Sequence, residues 1–147
     1  MENMNVYRLI QDGHGFKEAE NRWLTRVEKI KAYCSEQRLI GGELFTLVEP
    51  TSTESHSIAI QFTDIKLVCQ FRHMGGGSVL LFGYMKPEIG GQDKFKVTNK
   101  VYLDNLGNAL EAKGGQPGPY CIQHDDFIDN VFFAECRKVQ DAVWDKL

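Results

Sequence analysis

The sequence has no long hydrophobic run. No apolar stretch approaches the roughly 20 residues that a helix needs to cross a bilayer. Residues 1–10 also lack the basic start and the apolar core of a secretory signal peptide. We therefore expect a protein of the cytoplasm, with reduced thiols and no membrane partner.

A strong charge of either sign is also missing. The chain has 17 Lys and Arg residues against 20 Asp and Glu residues, which gives a formal net charge of -3. A general nucleic-acid-binding protein needs a basic face that neutralises phosphates. We therefore expect no nucleic-acid partner, although a local basic patch remains compatible with this composition.

Cysteine is scarce, with four residues in the chain: Cys34, Cys69, Cys121 and Cys136. Cys34 and Cys136 fall on the apolar faces of predicted helices, and Cys69 alternates in phase with apolar strand residues. We predict that these three are small core residues. In a reducing compartment all four are expected to be free thiols.

Motifs for catalysis and metal binding are absent. The sequence contains neither Gly-x-Ser-x-Gly nor His-Glu-x-x-His. Cys121 and His124 form one Cys-x-x-His pair, whereas a structural zinc site usually takes four ligands. We predict no catalytic residue, no metal and no cofactor, so an enzyme is the less favoured class.

Two amphipathic helices are clearly present. The first is predicted from Phe16 to about Gln37, and a second is predicted from Asp125 or Asp126 nearly to Leu147. The stripe of the first recurs at steps of three and four residues: Phe16, Ala19, Trp23, Val27, Ile30 and Cys34. Residues 6–10 precede a glycine-rich break at 12–15 and are compatible with an edge strand.

Between the helices the period of the pattern changes to two, as in strands. The predicted strands cover residues 43–49, 58–62, 65–71, 79–85 and 95–103, with a short one at 108–113. In the fifth, Phe95, Val97, Val101 and Leu103 share a phase that Asn99 interrupts. Residues 114–123 carry several glycines and prolines and are predicted to form a loop.

This order predicts a single α+β domain over residues 1–147. A curved antiparallel sheet of five to six strands would pack against the N-terminal helix and the long C-terminal helix. The layout resembles the helix-grip arrangement of START and Bet v 1-like lipid carriers, in which a curled sheet leaves a cavity beside the last helix. A cone-shaped sheet of the nuclear-transport-factor-2 type, or a two-layer sandwich, fits the same order.

Glu135 is an unusual residue because it falls among the apolar positions of the predicted C-terminal helix. A carboxylate in such a place must be paired, neutral or directed into a wet cavity. A salt bridge to a basic residue of the sheet, or a local rotation of the helix, would also account for it. We take Glu135 as a candidate ligand-binding residue.

A polar and aromatic surface on the sheet supplies the other candidate ligand contacts. Lys100 and Tyr102 alternate with the apolar residues of their strand, and Arg72 is out of phase with its apolar neighbours. His73 and Tyr84 could join the same surface. An ordinary solvated sheet face is the interpretation that the pattern of these residues favours.

Phe133 and Trp144 lie together on the polar side of the C-terminal helix, near Arg137 and Gln140. Two large aromatics there predict a second buried contact, made either by a covering loop or by another subunit, and we expect a homodimer interface. The favoured function is a non-enzymatic binding protein with a pocket for a small, partly apolar ligand between the sheet and the C-terminal helix. The alternatives are a protein-interaction module, such as a homodimeric inhibitor or immunity-type protein, and a small acid–base enzyme that uses Glu135.

Overall fold

The computed structural model describes residues 4–41, 46–48, 57–62, 65–74, 77–86, 94–112 and 115–145. The elements are α1 (Met4–Gly41), β1 (Thr46–Val48), β2 (Ser57–Phe62), β3 (Ile65–Met74), β4 (Gly77–Lys86), β5 (Lys94–Leu103), β6 (Asn108–Leu110), β7 (Pro117–Cys121), a π-helical segment (Ile128–Phe133) and α2 (Ala134–Asp145). The π-helical segment and α2 are continuous, and we call residues 128–145 the C-terminal helix.

Helix α1 is longer than the pattern predicted, because it already begins at Met4. The prediction of an edge strand at residues 6–10 is wrong, because these residues belong to α1. The glycines at 13 and 15 do not break the helix. Glycine lowers helix stability by up to about 1 kcal/mol relative to alanine but does not forbid the conformation. The described side chains of residues 4–14 are all exposed, so this part of α1 does not pack against the sheet.

The seven strands within the described residues form one antiparallel sheet in sequential order, from β1 to β7. The sheet is curled, which confirms the predicted α+β class. Phe62 pairs with Ile65, as expected for two strands joined by two residues, 63 and 64, which lie outside the described residues. The predicted loop at 114–123 instead contains β7, whose two prolines are tolerated because it is an edge strand.

Both helices pack on the same face of the sheet, which we call the inner face. In β3 this face is formed by alternate, buried residues, as the period of two predicted: Ile65, Leu67, Cys69 and Phe71. The indole of Trp23 on α1 stacks on Phe71 at a centroid distance of 6.0 Å. Phe132 of the C-terminal helix meets Phe82 of β4 at 5.9 Å. The core therefore lies between one sheet face and two helices.

A β-bulge in β5 changes the face that its residues occupy. Phe82 pairs with Asn99 and Gly83 pairs with Val97, so the register shifts at this point. The inner face carries Val101 and Leu103, which are buried, whereas Val97 is 44% exposed. The predicted common face for these residues is therefore wrong, because an extra residue in a strand reverses the alternation beyond it.

Two helical residues, 126 and 127, directly precede the C-terminal helix, close to the predicted start. The Asp125 carboxylate, one of the two predicted caps, accepts a hydrogen bond from Nη1 of Arg26 at 2.9 Å and one from Nζ of Lys29 at 3.4 Å. Asp125 thus ties this segment to α1. No helix among the described residues is long and apolar enough to span a membrane.

Candidate ligand-binding pocket

A pocket of about 360 Å³ lies where α1, the sheet and the C-terminal helix meet. Tyr33 of α1, Ile60 of β2 and Leu67 of β3 line it, and the remaining lining residues come from the C-terminal helix. Small-molecule sites commonly enclose about 300–1,000 Å³. The volume is therefore sufficient for a small organic ligand.

The deep part of this pocket is apolar. Ile60, Leu67 and Cys136 are buried members of the core. The rings of Tyr33 and Phe133 form an aromatic wall, with centroids 5.5 Å apart and planes inclined by 42°. Phe133 is also held edge-on by Phe132 at 5.1 Å, so the wall is supported from the core.

The solvent side of the pocket is polar. Asp129 and Arg137 are exposed lining residues, and Gln140 is half-buried. They provide a carboxylate, a guanidinium and an amide next to an apolar interior. A few polar groups around an apolar cavity are typical of small-molecule sites, where they fix the orientation of the ligand.

The π-helical segment Ile128–Phe133 gives the pocket part of its wall. Its buried residues Ile128, Val131 and Phe132 face the core, while Asp129 and Phe133 line the pocket. A π turn has i→i+5 hydrogen bonds and holds more residues than an α turn, which rotates the residues that follow it relative to a regular α-helix. Such turns are rare and are frequent at functional sites.

Glu135 lies beside the pocket but is not among its lining residues. Its side chain is 13% exposed, and Lys138 of the same helix donates to Oε1 at 2.8 Å. Nδ2 of Asn99 donates to Oε2 and, at 3.2 Å, to the main-chain oxygen of Glu135. The cationic partner thus comes from the helix, and the sheet contributes an amide from the bulge.

Cys69 is buried beneath this part of the C-terminal helix. Burial raises the pKa of its thiol well above the usual value, and the nearby Cys136 and Glu135 raise it further. The thiolate is the reactive form of cysteine. Cys69 is therefore a protonated core residue, in agreement with its predicted position.

The other predicted ligand-binding residues do not form one surface. Tyr84 is buried on the inner face, and His73 is half-buried with Nδ1 3.1 Å from Oγ of Ser78. By strand alternation Arg72, Lys100 and Tyr102 belong to the opposite, outer face. None of these five residues lines the 360 Å³ pocket.

The two predicted interface residues occupy different environments. Phe133 is half-buried against Tyr33 and lines the pocket, so α1 already covers much of it. Trp144 is 75% exposed near the end of α2. Of the pair, only Trp144 presents a large aromatic surface to solvent.

Four polar or aromatic pocket residues were not selected as site residues from the sequence: Tyr33, Asp129, Arg137 and Gln140. The sequence pattern places Arg137 and Gln140 on the same helical side as Phe133. That position is the signal that could have identified both residues as part of the pocket. The sequence does not indicate that Tyr33 belongs to the pocket, because its contact with Phe133 joins residues 100 positions apart. Within the described ranges no three His, Cys, Asp or Glu residues lie close enough to hold a metal ion.

The fold and the pocket define an α+β protein with a curled antiparallel sheet, two helices on one face and a small-molecule-sized cavity between them. The chain matches no protein-family model and no solved structure. Over 63 residues, or 43% of this chain, it is 32% identical to part of the genome polyprotein of Mengo encephalomyocarditis virus (strain 37A). The aligned stretch spans 7% of that polyprotein.

Proposed function

We propose that this protein is a non-enzymatic, cytoplasmic binding protein whose pocket between the sheet and the C-terminal helix takes a small, partly apolar ligand. The observation that carries the proposal is the 360 Å³ pocket itself, with buried aliphatic residues at its base and polar side chains at its edge. Burial of an apolar ligand in such a site is favourable by roughly 25 cal/mol per Å² of apolar surface removed from water.

The lining also specifies how the ligand would lie. Its apolar part would contact Ile60 and Leu67 and pack against the ring of Phe133. Its polar end would point to solvent, within reach of Arg137 and Gln140. A carboxylate or sulfonate on that end would pair with the guanidinium, because charge-assisted hydrogen bonds to arginine are among the stronger ones.

Fluorescence titration with 8-anilinonaphthalene-1-sulfonate tests the proposal, because this probe combines an aromatic body with an anionic group. The variant is Ala134→Trp, since Ala134 lines the pocket but is exposed, so a larger side chain fills space without displacing the core. We expect affinity to fall by about ten-fold or more, which corresponds to about 1.4 kcal/mol.

Ala32→Trp is the matched control, because Ala32 is an exposed helical alanine on α1 that does not line the pocket. It should bind the probe as the wild type does. Equal loss in both variants, or wild-type affinity in Ala134→Trp, would show that the probe does not occupy this pocket and would refute the proposal.

The six ligand-binding residues predicted from the sequence differ in their position relative to the pocket. Glu135 lies between two lining residues of the C-terminal helix, so a contact with the polar end of a ligand stays a prediction. His73 and Tyr84 are on the inner face but outside the lining, and the outer-face residues would need a different ligand.

A second candidate function, a homodimeric interaction module, rests on Trp144. An indole that is 75% exposed at the end of a helix is a large apolar surface for a partner to cover. Sedimentation equilibrium at micromolar concentration should show a dimer that Trp144→Ala weakens. A monomer at every concentration would remove this candidate and leave the pocket proposal untouched.

A further inference from the structure

A second cleft, of about 240 Å³, lies between α1 and the chain segment that follows β7. Arg22, Arg26 and Lys29 line it, and their spacing of four and three residues places them on one face of α1. The lining includes polar side chains but no carboxylate. The cleft therefore brings three cations together in a chain whose formal net charge is -3, and their carboxylate partners, Glu18 on Arg22 and Asp125 on the other two, lie outside its lining.

Arg26 is the fixed member of the three cations. Its side chain is 2% exposed, Nε donates to the main-chain oxygen of Ile122 at 2.6 Å, and Nη1 donates to Oδ1 of Asp125 at 2.9 Å. A guanidinium has five N–H donors. The two bonds use two of these donors and hold the guanidinium in a fixed orientation beside the cleft.

The other two cations flank Arg26. Nη1 of Arg22 donates to the main-chain oxygen of Asn105 at 2.6 Å, which holds that guanidinium at one end of the cleft. Lys29 is 53% exposed at the other end, where Nζ lies 3.4 Å from Oδ1 of Asp125. The site thus combines two anchored guanidinium groups with one half-exposed ammonium group.

The Asp125 carboxylate is an anionic group that is already bound at this surface. Its carboxylate is 78% exposed yet bound by both Arg26 and Lys29. The hydrogen bond from Arg26 and then that from Lys29 lower the pKa of the Asp125 carboxyl. Because the carboxylate is exposed, an external anion could share its cationic partners or displace it.

We propose that this cleft binds a phosphate group, either as inorganic phosphate or as the phosphomonoester of a small molecule. Arginine matches phosphate oxygens with paired N–H donors, and lysine adds a mobile point charge. The volume of about 240 Å³ is several times the roughly 30 Å³ of a water molecule, so the cleft has room for a phosphate group. This site is separate from the apolar pocket and does not depend on it.

The test is a titration followed by amide NMR at constant ionic strength, with inorganic phosphate in one series and adenosine 5′-monophosphate in another. Saturable shifts should concentrate at residues 21–29 and 121–125. Lys29→Glu should weaken binding by about ten-fold or more, because it removes a charge-assisted hydrogen bond. Asp125→Asn should tighten binding, because it removes the competing carboxylate.

Lys17→Glu is the matched control, since it makes the same charge change at an exposed position of α1 outside the cleft. It should leave the affinity within about two-fold of the wild type, because exposed charges at a distance are screened by salt. Tighter binding of the nucleotide would identify an organic phosphate as the ligand, and equal affinity would identify free phosphate. Absence of saturable shifts, or equal weakening by Lys17→Glu and Lys29→Glu, would overturn the proposal.

Discussion

At the scale of single residues, the partly buried charges are explained by the partners that the fold brings to them. Glu135 is 13% exposed and is bonded to Lys138 and Asn99. Arg26 is 2% exposed and bridges a main-chain oxygen and a carboxylate. Since buried polar groups are costly when unpaired, each of these contacts makes a separate prediction about stability.

For Glu135 we expect two substitutions to differ. Glu135→Gln keeps an oxygen that accepts from Asn99 and loses the charge pair with the exposed Lys138, so unfolding free energy should fall by less than about 1 kcal/mol. Glu135→Ala also removes the side-chain acceptor of the Asn99 amide, which keeps the main-chain oxygen of residue 135, and the loss should be about 1–3 kcal/mol. Urea melts of both variants, with Lys138→Met as the control, measure these losses of unfolding free energy. Equal losses in Glu135→Gln and Glu135→Ala would contradict the role of Asn99.

For Arg26 we expect Arg26→Met to lower the free energy of unfolding by about 1–3 kcal/mol, because the main-chain oxygen of Ile122 loses its donor. Lys29→Met should have a smaller effect, because Lys29 is half exposed and its bond to Asp125 is long. Guanidinium melts of the two variants compare them directly. A larger loss in Lys29→Met would mean that Arg26 does not fasten α1 to the C-terminal segment.

The same cluster predicts a pH dependence through Asp125. Because its pKa is lowered in the folded state, its contribution to stability is complete above the unfolded pKa and is lost as the pH falls through the folded pKa. Asp125→Asn should therefore be less stable than the wild type at neutral pH, and the difference should shrink as the pH falls below the unfolded pKa of about 3.9. Asp126→Asn, which removes the same formal charge one residue away from the contacts with Arg26 and Lys29, is the control for the change in net charge.

At the scale of elements, glycine has opposite consequences in α1 and in the sheet. A Cβ at Gly13 or Gly15 would meet no atom within 4 Å. At Gly83 a Cβ would collide with the main-chain oxygen of Lys96, and the ring of Phe95 lies close by. The sheet needs its glycine at the bulge, whereas the helix only tolerates glycine.

We therefore expect Gly13→Ala with Gly15→Ala to raise helix content and to stabilise the start of α1 by up to about 1 kcal/mol per site. Gly83→Ala should lower the free energy of unfolding by about 1–3 kcal/mol through overpacking. Circular dichroism and urea melts measure both effects. A drop in helix content in the first variant would show that α1 does not begin at Met4.

At the scale of the whole molecule, the core protects its thiols. Cys69 and Cys136 are buried, Cys121 is half-buried, and none of these three forms a disulfide within the described part of the chain. The side chain of Cys34 lies outside the described residues. Burial raises the pKa of Cys69, which keeps its thiol protonated and unreactive.

We expect thiol titration to find four free thiols in denatured, unreduced protein. In the native state Cys121 should react much faster than Cys69 and Cys136, and Cys121→Ser should remove that fast phase. A count below four in freshly purified protein would show a disulfide and would contradict the reducing compartment that the sequence predicts.

The sequence determined the elements whose signal is local. The stripe through Trp23, Val27 and Ile30 and the alternation of β3 were correct, because side-chain direction repeats every 3.6 or 2 residues along the chain itself. The α+β class follows from the order of these elements. A pocket lined by β2, β3, α1 and the C-terminal helix is present, and its occupation by a small ligand stays a prediction.

The tertiary structure decided which residues meet. Nothing near Tyr33 in the sequence signals its contact with Phe133, and nothing near Arg26 signals Ile122 or Asp125. The bulge at Asn99 moved Val97 to the outer face, and the π-helical turn changed the rotation of the residues after Phe133. Local patterns repeat with a fixed period, so they cannot encode an inserted residue or a partner some 100 positions away; packing between elements selects both.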